Sequence, residues 1–288
     1  KLQYFNFQNI KFSNLERPKG VIFLSDIKKI RKPIDKISTA SLWDLEDGVA
    51  VFEIHSKGNS IDMNTMNFLN KSIDIVDTSF KAMVIYNEGT IFSAGANVGE
   101  ALFLGNIGLE QKLVDDIIEN GQKVYQKLKY SKFPVISAPS GLALGGGCEL
   151  LLHSNFIQAH IETYTGLTEA ALGICPAWGG CKELLLRTKN SNNNPKGPMP
   201  AIMKTFETIG LAKTSSSAHE AMELGFFMET DAITMNRDRL LFDAKKKAID
   251  MIDSFSPPVK SNFNLPGKSA FAAIQIGLNN MIMAGQIS

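Results

Sequence analysis

Three consecutive glycines, Gly145 to Gly147, precede a strongly apolar segment, and this run constrains the fold of the 288-residue chain more than any other feature. Each glycine in a helix costs about 1 kcal/mol relative to alanine. A glycine run at a helix start is useful where a ligand must approach the backbone closely. The free amides of a helix N-terminus also stabilise negative charge. A plain turn would use the same residues, so the run alone does not define a site.

The residues after the glycines discriminate between kinds of anion. A Walker phosphate loop needs Lys and then Ser or Thr at this point, whereas Cys148 and Glu149 stand here. The Glu149 carboxylate would repel a phosphate, and the segment does not match the dinucleotide fingerprint G-x-G-x-x-G. The sequence therefore favours a small developing oxyanion with Glu149 held nearby.

Glu149 is followed by Leu150, Leu151 and Leu152, and a helix that is apolar almost all round is buried. A buried, unpaired carboxyl group has a raised pKa and is a candidate acid or base. The alternatives are a salt bridge to Lys or Arg and a place at the exposed edge of the helix. Glu169 follows 20 residues later (169 − 149), in a segment marked by glycine and proline. A chain running out and back could pair the two carboxyls, an arrangement suited to moving two protons.

Apolar periodicity predicts alternating strands and helices over the first 190 residues, which is typical of an α/β domain. The predicted elements are a hairpin (41–44 and 49–55), a helix from Asp62 or Asn64 to Val76, strands over 81–87, 134–138 and 155–161, and helices over 109–128 and 144–153. A loop rich in Asn and Pro is predicted over 189–200. Helices are predicted over 201–212, 218–226, 237–255 and 268–285. These patterns divide the chain into a lead-in (1–40), a core (41–200) and a C-terminal helical region (201–288).

Charge and cysteine content exclude several classes of function. The net charge of +1 argues against nucleic-acid binding as the role of the whole chain. Residues 1–40 carry nine Lys or Arg against three Asp or Glu, or +6, and we interpret them as a linker, with a basic arm as the alternative. No apolar run reaches the roughly 20 residues of a membrane span, and no secretory signal is recognised at the start. The three cysteines form no disulfide framework, and the four histidines show no metal-ligand spacing. We expect a soluble, cytoplasmic protein that binds no metal, nucleic acid or membrane.

A third segment of small residues, Phe92-Ser93-Ala94-Gly95-Ala96-Asn97, completes a recognisable set. With Ala143–Leu150 and Gly166–Gly180, it resembles the motifs of the enoyl-CoA hydratase/isomerase (crotonase) family in order and spacing. The resemblance covers about residues 41–255. More narrowly, Ser41–Val49 and Glu162–Glu169 are similar to the hydratase module of bacterial bifunctional 3-hydroxyacyl-CoA dehydrogenase/enoyl-CoA hydratase proteins.

The resemblance implies both a fold and a site. The fold is the ClpP/crotonase-like spiral of ββα units, whose C-terminal helices close the acyl site and build a homo-trimer or hexamer. The backbone amides of Ala96 and Gly146 would bind the thioester oxygen of an acyl-CoA. Glu149 would be the base that activates water, and Glu169 the acid that protonates Cα. Coenzyme A would be part of the substrate and not a resident cofactor, and its predicted contacts are Ser60, Ala94, Ala96, Asn97, Val98, Gly99 and Gly146.

The presence of both glutamates favours hydration of a trans-2-enoyl-CoA in fatty-acid β-oxidation, since family members that only isomerise commonly keep one catalytic acid. The alternatives are an enoyl-CoA isomerase and a catalytically weak CoA-ester-binding module of a multienzyme. The resemblance also implies a 3-hydroxyacyl-CoA dehydrogenase module as a partner, joined through residues 1–40. Two residues depart from the family pattern: Asn97 replaces an aspartate, and Trp178 is bulkier than the usual residue and would narrow the acyl pocket.

Overall fold

The segment predicted as a lead-in holds secondary structure of its own. The computed structural model describes residues 3–108, 111, 117–191, 195–260, 264–285 and 287. Strands β1 (Gln3–Asn6) and β2 (Lys11–Asn14) form an antiparallel hairpin, followed by helix α1 (Leu24–Ile30) and the short strand β3 (Asp35–Lys36). Because Leu24 is fully buried and β3 joins the main sheet, the second half of this segment packs on the core.

The predicted hairpin and the helix after it are confirmed. Strands β4 (Ala40–Asp44) and β5 (Val49–Ile54) pair in antiparallel register. Helix α2 (Met63–Ser79) begins after Asp62, whose side chain accepts a hydrogen bond of 2.7 Å from the Thr65 amide. Asp62, and not Asn64, is therefore the N-cap, and the helix extends one turn beyond Val76.

Three consecutive ββα units form the centre of the chain. Their elements in chain order are β6 (Ala82–Tyr86), β7 (Ile91–Ser93) and α3 (Val98–Asn106); then, after helix α4 (Asn120–Lys129), β8 (Val135–Ala138), β9 (Gly141–Leu144) and α5 (Gly146–Leu152); then β10 (Phe156–His160), β11 (Thr163–Gly166) and α6 (Gly180–Asn190). The first strands of the units, β6, β8 and β10, are parallel neighbours in one large sheet. The second strands form a separate parallel sheet in the order β11-β9-β7. The chain thus spirals between two sheets, and the predicted α/β class is confirmed.

The small sheet corrects several boundaries. The helix predicted over 144–153 begins only at Gly146, because residues 141–144 form β9. Strands β7 and β11 were not predicted, since strands of three or four residues show too little alternation. The loop predicted over 189–200 begins after Asn190, where α6 ends, and its residues 192–194 lie outside the described residues. The helix predicted over 109–128 is described over Asn120–Lys129, and Leu109, Leu113 and Val114 lie outside the described residues.

The C-terminal region is mainly helical, as predicted. It contains α7 (Pro200–Gly210), α8 (Ala218–Leu224), α9 (Leu240–Ile252) and α10 (Lys268–Met283). It also adds strand β12 (Ala232–Thr234) to the edge of the seven-stranded sheet, whose order is β12-β10-β8-β6-β5-β4-β3. Within the described part of the chain, no helix is both long enough and apolar enough to cross a bilayer.

The large sheet separates two apolar clusters. On one face, Met83, Ile85 and Val135 pack with α2, α4 and α5; on the other face, Val84 and Ile136 pack with α1 and α9. Neighbouring residues of one strand thus point to opposite sides, as the pleat requires. Both faces are covered, so the central strand β6 has no charged residue and is buried along its whole length.

Asn87, directly after β6, connects the two sheets. Its side-chain oxygen accepts a hydrogen bond of 2.7 Å from the Ile54 amide of β5, and its amide group donates to the Phe92 carbonyl of β7. The side chain is buried, with 3% exposure. This one residue therefore ties the end of β6 and its neighbour β5 in the large sheet to β7 in the small one.

We expect Asn87→Ala to lower the free energy of unfolding by about 2–4 kcal/mol, because two buried backbone groups lose their partners. Urea denaturation of both proteins measures the difference. Asn64→Ala, at an exposed position of α2, is the control and should change stability by less than about 0.5 kcal/mol. Equal stability of Asn87→Ala and wild type would show that the Asn87 bonds contribute nothing.

Candidate active site

The glycine run forms the tight turn between β9 and α5, and it is crowded on all sides. Gly145 has a φ of +52° and donates its amide to the Gly166 carbonyl at 2.9 Å. A Cβ on Gly146 would overlap the indole ring of Trp178, and a Cβ on Gly147 would lie 2.7 Å from the Cβ of Ser93. Glycine is required here because other parts of the protein already occupy the space of a side chain.

Two backbone amides, those of Ala96 and Gly146, lie side by side at this turn. The 93–97 loop forms a bridge to Ile61 through the Gly95 carbonyl (2.8 Å) and the Asn97 amide (2.9 Å), so the Ala96 amide takes no part in that bridge. Gly146 is the first residue of α5, where helix geometry supplies no acceptor for its amide. A Cβ on Gly146 would lie 3.1 Å from the Ala96 nitrogen. The two amides predicted to act together are therefore neighbours.

Gly95 determines this approach. Its φ is +94°, and a Cβ there would lie 2.7 Å from the Leu144 carbonyl and 3.1 Å from the Gly146 nitrogen. A side chain would push the loop after β7 away from the glycine turn. The loop motif thus needs glycine for both conformation and space.

Glu149 is buried in the first turn of α5, with 2% exposure. Its Oε1 accepts hydrogen bonds from the backbone amides of Trp178 (2.9 Å) and Gly180 (2.7 Å). No Lys or Arg of the described residues pairs with it, so the two alternatives, a salt bridge and an exposed position, are both excluded. Burial, assisted by the charge of Glu169, raises the pKa of Glu149 to about 8, although the two amides oppose the shift.

Glu169 begins a short 3-10 helix, Glu169–Leu172, after β11. Its Oε1 lies 3.3 Å from where a Cβ of Gly145 would be. Among the described residues, its buried Oε2 has no hydrogen-bond partner. Burial raises the pKa of Glu169 to about 6. Both predicted carboxyls thus flank the glycine turn, and the unpartnered oxygen is available to a water molecule or a ligand.

The residues predicted to contact coenzyme A lie in two segments that touch each other. The turn around Ser60 packs against the strand-loop motif, since the Ala94 amide donates to the Gly58 carbonyl (3.0 Å) and the Ser93 hydroxyl to the Asn59 carbonyl (2.8 Å). Asn97, Val98 and Gly99 lead into α3, and Asn97 and Gly99 are exposed. No group of three or more His, Cys, Asp or Glu in the described ranges is placed to hold a metal ion.

The sequence pointed to Trp178 for its bulk, but the contacts that it makes in the site were not predicted. Its amide binds Glu149, and its indole nitrogen donates to the Ile117 carbonyl at 2.9 Å. The ring packs edge-on against Tyr125, whose hydroxyl donates to the Gly146 carbonyl at 2.9 Å. The indole ring packs against α4 at Gly121, where a Cβ atom would overlap the ring. A bulky aromatic residue beside two glycines was the available signal.

A second buried glutamate, Glu183 in α6, was also missed. Its carboxylate pairs with Lys129 and with Lys182 (2.9 Å), and the ring of His153 lies 3.8 Å away. Burial lowers the pKa of His153 to about 4, so the ring is neutral at pH 7 and the lysines balance the charge. This cluster anchors the first turn of α6, the same turn that presents the Gly180 amide to Glu149.

Comparison with known proteins agrees with this geometry. A family model for enoyl-CoA hydratase/isomerase matches residues 44–189. A probable 3-hydroxyacyl-CoA dehydrogenase of Bacillus subtilis (strain 168) is 40% identical over 286 residues, 99% of this chain and 36% of that protein. A putative fatty acid oxidation complex trifunctional enzyme of Rickettsia prowazekii (strain Madrid E) is 35% identical over 199 residues, 69% of this chain and 26% of that protein. The chain spans about a third or less of these relatives.

Solved structures share the fold. An enoyl-CoA hydratase from Bacillus anthracis gives a TM-score of 0.60 at 23% identity, covering 76% of this chain and 78% of that one. A putative enoyl-CoA hydratase/isomerase (crotonase) from Legionella pneumophila gives a TM-score of 0.64 at 17% identity, covering 86% of this chain and 92% of that one. The fold is therefore the crotonase fold, as predicted. With the family model matching half of its length, the chain belongs to the enoyl-CoA hydratase/isomerase family.

The raised pKa of Glu149 makes stability depend on pH. The folded protein retains the Glu149 proton up to about pH 8, whereas an unfolded glutamate releases it near 4.5. The folded state thus binds more protons between these values, and wild-type stability falls as pH rises through them. Each unit of pKa difference corresponds to about 1.4 kcal/mol, so the free energy of unfolding of the wild type should fall by about 3–4 kcal/mol between pH 5 and pH 9 because of Glu149. Glu149→Gln should lack this decrease.

Denaturant unfolding of wild type, Glu149→Gln and the exposed control Glu162→Gln at pH 5, 7 and 9 measures this dependence. We expect the control to follow wild type. Parallel curves for wild type and Glu149→Gln would show that the carboxyl ionises at its ordinary pKa.

Proposed function

We propose that the chain is an enoyl-CoA hydratase that adds water to a trans-2-enoyl-CoA and gives a 3-hydroxyacyl-CoA. The observation that supports this most is the placement of two carboxyls with raised pKa, one buried and one partly buried, on either side of one glycine turn, next to the amides of Ala96 and Gly146. Hydration requires all four groups. The two amides would stabilise the enolate oxygen, and the two carboxyls would each transfer one proton. No other part of the described chain combines them.

The amides of Ala96 and Gly146 would polarise the thioester carbonyl. As water attacks Cβ, negative charge grows on the carbonyl oxygen, and donors already aimed at it need no reorganisation. Loss of one such donor typically costs ~10²–10³ in rate. The Tyr125 hydroxyl and the Trp178 ring would keep Gly146 in place by their contacts with it.

The carboxyl pair would hold one proton between about pH 6 and pH 8, the number that the reaction needs, and in the resting site it would lie mainly on Glu149. Hydration would start once that proton has moved to Glu169. In hydration, Glu149 accepts a proton from the attacking water and Glu169 donates one to Cα. Turnover therefore ends with the proton on Glu149, the group with the higher pKa. Dehydration starts from that state with the roles exchanged, and a water bridging the two carboxyls would return the proton for the next hydration.

The alternative activity is enoyl-CoA isomerisation, which needs one acid that shuttles a proton. Glu149 is buried and hydrogen-bonded to two backbone amides, and this environment favours hydration. An isomerase that uses Glu169 alone has no need for a second carboxyl with a raised pKa. The other alternative, a weak CoA-ester-binding module, predicts binding without turnover.

Absorbance loss of crotonyl-CoA tests the proposal directly. We expect the wild type to hydrate it, and Glu169→Gln and Glu149→Gln each to lower kcat by about 10²–10⁴, the usual contribution of a general acid or base. Glu162→Gln, with an exposed carboxyl, is the matched control and should retain wild-type turnover.

The outcomes separate the three activities. Hydration lost in both variants supports the hydratase. Conversion of a 3-enoyl-CoA that persists in Glu149→Gln would identify an isomerase. A wild type that binds crotonyl-CoA without converting it would identify the binding module.

We further propose that Trp178 limits the acyl chain. The cavity beside Ala96 measures about 30 Å³, room for about two water molecules. Its lining residues include Met63, Met66, Ile117 and Trp178. Since the indole fills the space between Gly146 and Gly121, we expect short acyl chains to be preferred over long ones.

Trp178→Ala should shift preference toward longer chains. Each buried methylene is worth about 0.8 kcal/mol, so we expect the ratio of kcat/KM for trans-2-octenoyl-CoA to that for crotonyl-CoA to rise about tenfold or more. The backbone amide that binds Glu149 is kept. Using the ratio within one protein cancels any loss of folded enzyme, and an unchanged ratio would contradict a limiting role for Trp178.

The relatives suggest the setting of the reaction. One is named a probable 3-hydroxyacyl-CoA dehydrogenase and another a putative fatty acid oxidation complex trifunctional enzyme. We propose that this chain acts in cytoplasmic fatty-acid β-oxidation and passes its 3-hydroxyacyl-CoA product to a dehydrogenase module. Exposed apolar side chains on α10, including Phe271, Ile276 and Met283, support a homo-oligomer or contact with such a module.

A further inference from the structure

We propose that Cys175 and Cys181 form a thiol–disulfide pair at the rim of the candidate active site, oxidised by low-molecular-weight disulfides. Their sulfur atoms lie 3.7 Å apart, and both contact the Pro176 carbonyl, at 3.8 Å and 3.6 Å. Cys175 is exposed and Cys181 is partly buried, so the pair is accessible from solvent. The third cysteine, Cys148, is fully buried in α5.

The geometry requires little movement. A disulfide bond is about 2.05 Å long, so the two sulfurs must approach by about 1.6 Å (3.7 − 2.05). Cys175 lies in the irregular segment before α6, whereas Cys181 is held in the first turn of that helix. We therefore expect the Cys175 side of the pair to move.

The chemistry is two thiol–disulfide exchanges. The Cys175 thiolate attacks one sulfur of the external disulfide, and a mixed disulfide forms while the first external thiolate leaves and takes a proton. The Cys181 sulfur then loses its proton and attacks the Cys175 sulfur, the bond of the mixed disulfide breaks, and the second external thiolate leaves and takes up that proton. Two protein thiols are oxidised, and one external disulfide is reduced to two thiols. Burial and the neighbouring Cys175 raise the pKa of Cys181 to about 12, so Cys175 is the first attacker.

The pair encloses the segment that holds Glu149. The amides of Trp178 and Gly180, which bind the Glu149 carboxylate, lie between the two cysteines. Closing the disulfide changes the shape of this segment and with it the hydrogen bonds to Glu149. Resting on the proposed hydratase function, we expect oxidation to lower kcat for crotonyl-CoA about tenfold, a part of the usual contribution of a general base.

The first test does not depend on activity. The reduced chain is incubated with oxidised glutathione, denatured and titrated for free thiols, which should fall from three to one. Chymotrypsin then cleaves after Trp178, between the two cysteines. A Cys175–Cys181 disulfide keeps these two fragments together until a reductant is added. Three remaining thiols, or a disulfide that includes Cys148, would overturn the proposal.

Two variants separate the steps. Cys181→Ser should accumulate a stable glutathione adduct on Cys175, because the second exchange has no thiol. Cys175→Ser should react far more slowly, because its two remaining thiols, Cys181 and Cys148, are partly and fully buried. A wild type that accumulates the adduct on Cys175 and never closes the disulfide would also overturn the pair.

The activity test follows the same samples. Oxidised wild type should regain its turnover when dithiothreitol is added, and glutathione disulfide should leave Cys175→Ser turnover unchanged. A disulfide that forms without altering turnover would overturn the link to Glu149. If reduced protein hydrates no enoyl-CoA at all, the proposed function fails while the thiol titration still decides the pair.

Discussion

The small parallel sheet is the constraint on which the site depends. Strands β7, β9 and β11 lie side by side in parallel, so their carboxyl ends meet at one edge. Ala96 follows the end of β7, Gly146 the end of β9 and Glu169 the end of β11, each by two or three residues. Three groups that are far apart in sequence therefore stand in a row, with the glycine turn in the middle. Repetition of one ββα unit is enough to produce this arrangement.

The glycine turn makes the row compact. Four groups contact the turn. They are the loop at Gly95, the ring of Trp178, the hydroxyl of Tyr125 and the carboxyl of Glu169. Any side chain at Gly146 would displace the Trp178 ring. Local conformation and long-range packing thus require the same residue type. This agreement explains why a glycine run that weakens a helix can stand at the start of one.

Much of the fold and the residues of the candidate site could be predicted from the sequence. A central strand such as β6 is buried on both faces and stands out as an apolar run, and a glutamate among leucines marks a group in an unusual environment. The small sheet could not be predicted in this way, because β7 has three residues and mixes a serine with apolar side chains. The partners of Glu149 could not be predicted either. They are backbone amides 29 and 31 residues away, and an amide carries no sequence signal.

The two buried glutamates of this region differ in how their charge is balanced. Glu183 is paired with Lys129 and Lys182, so its charge is neutralised and it anchors α6. The Glu149 carboxyl, on the other side of the same helix start, accepts hydrogen bonds from the amides of Trp178 and Gly180 and has no Lys or Arg partner in the described part of the chain. Amide dipoles hold a carboxyl group in place without placing a full positive charge beside it. Burial then keeps the pKa of Glu149 high. A lysine in the place of those amides would orient Glu149 equally well, but it would fix the group as a carboxylate and prevent it from returning a proton.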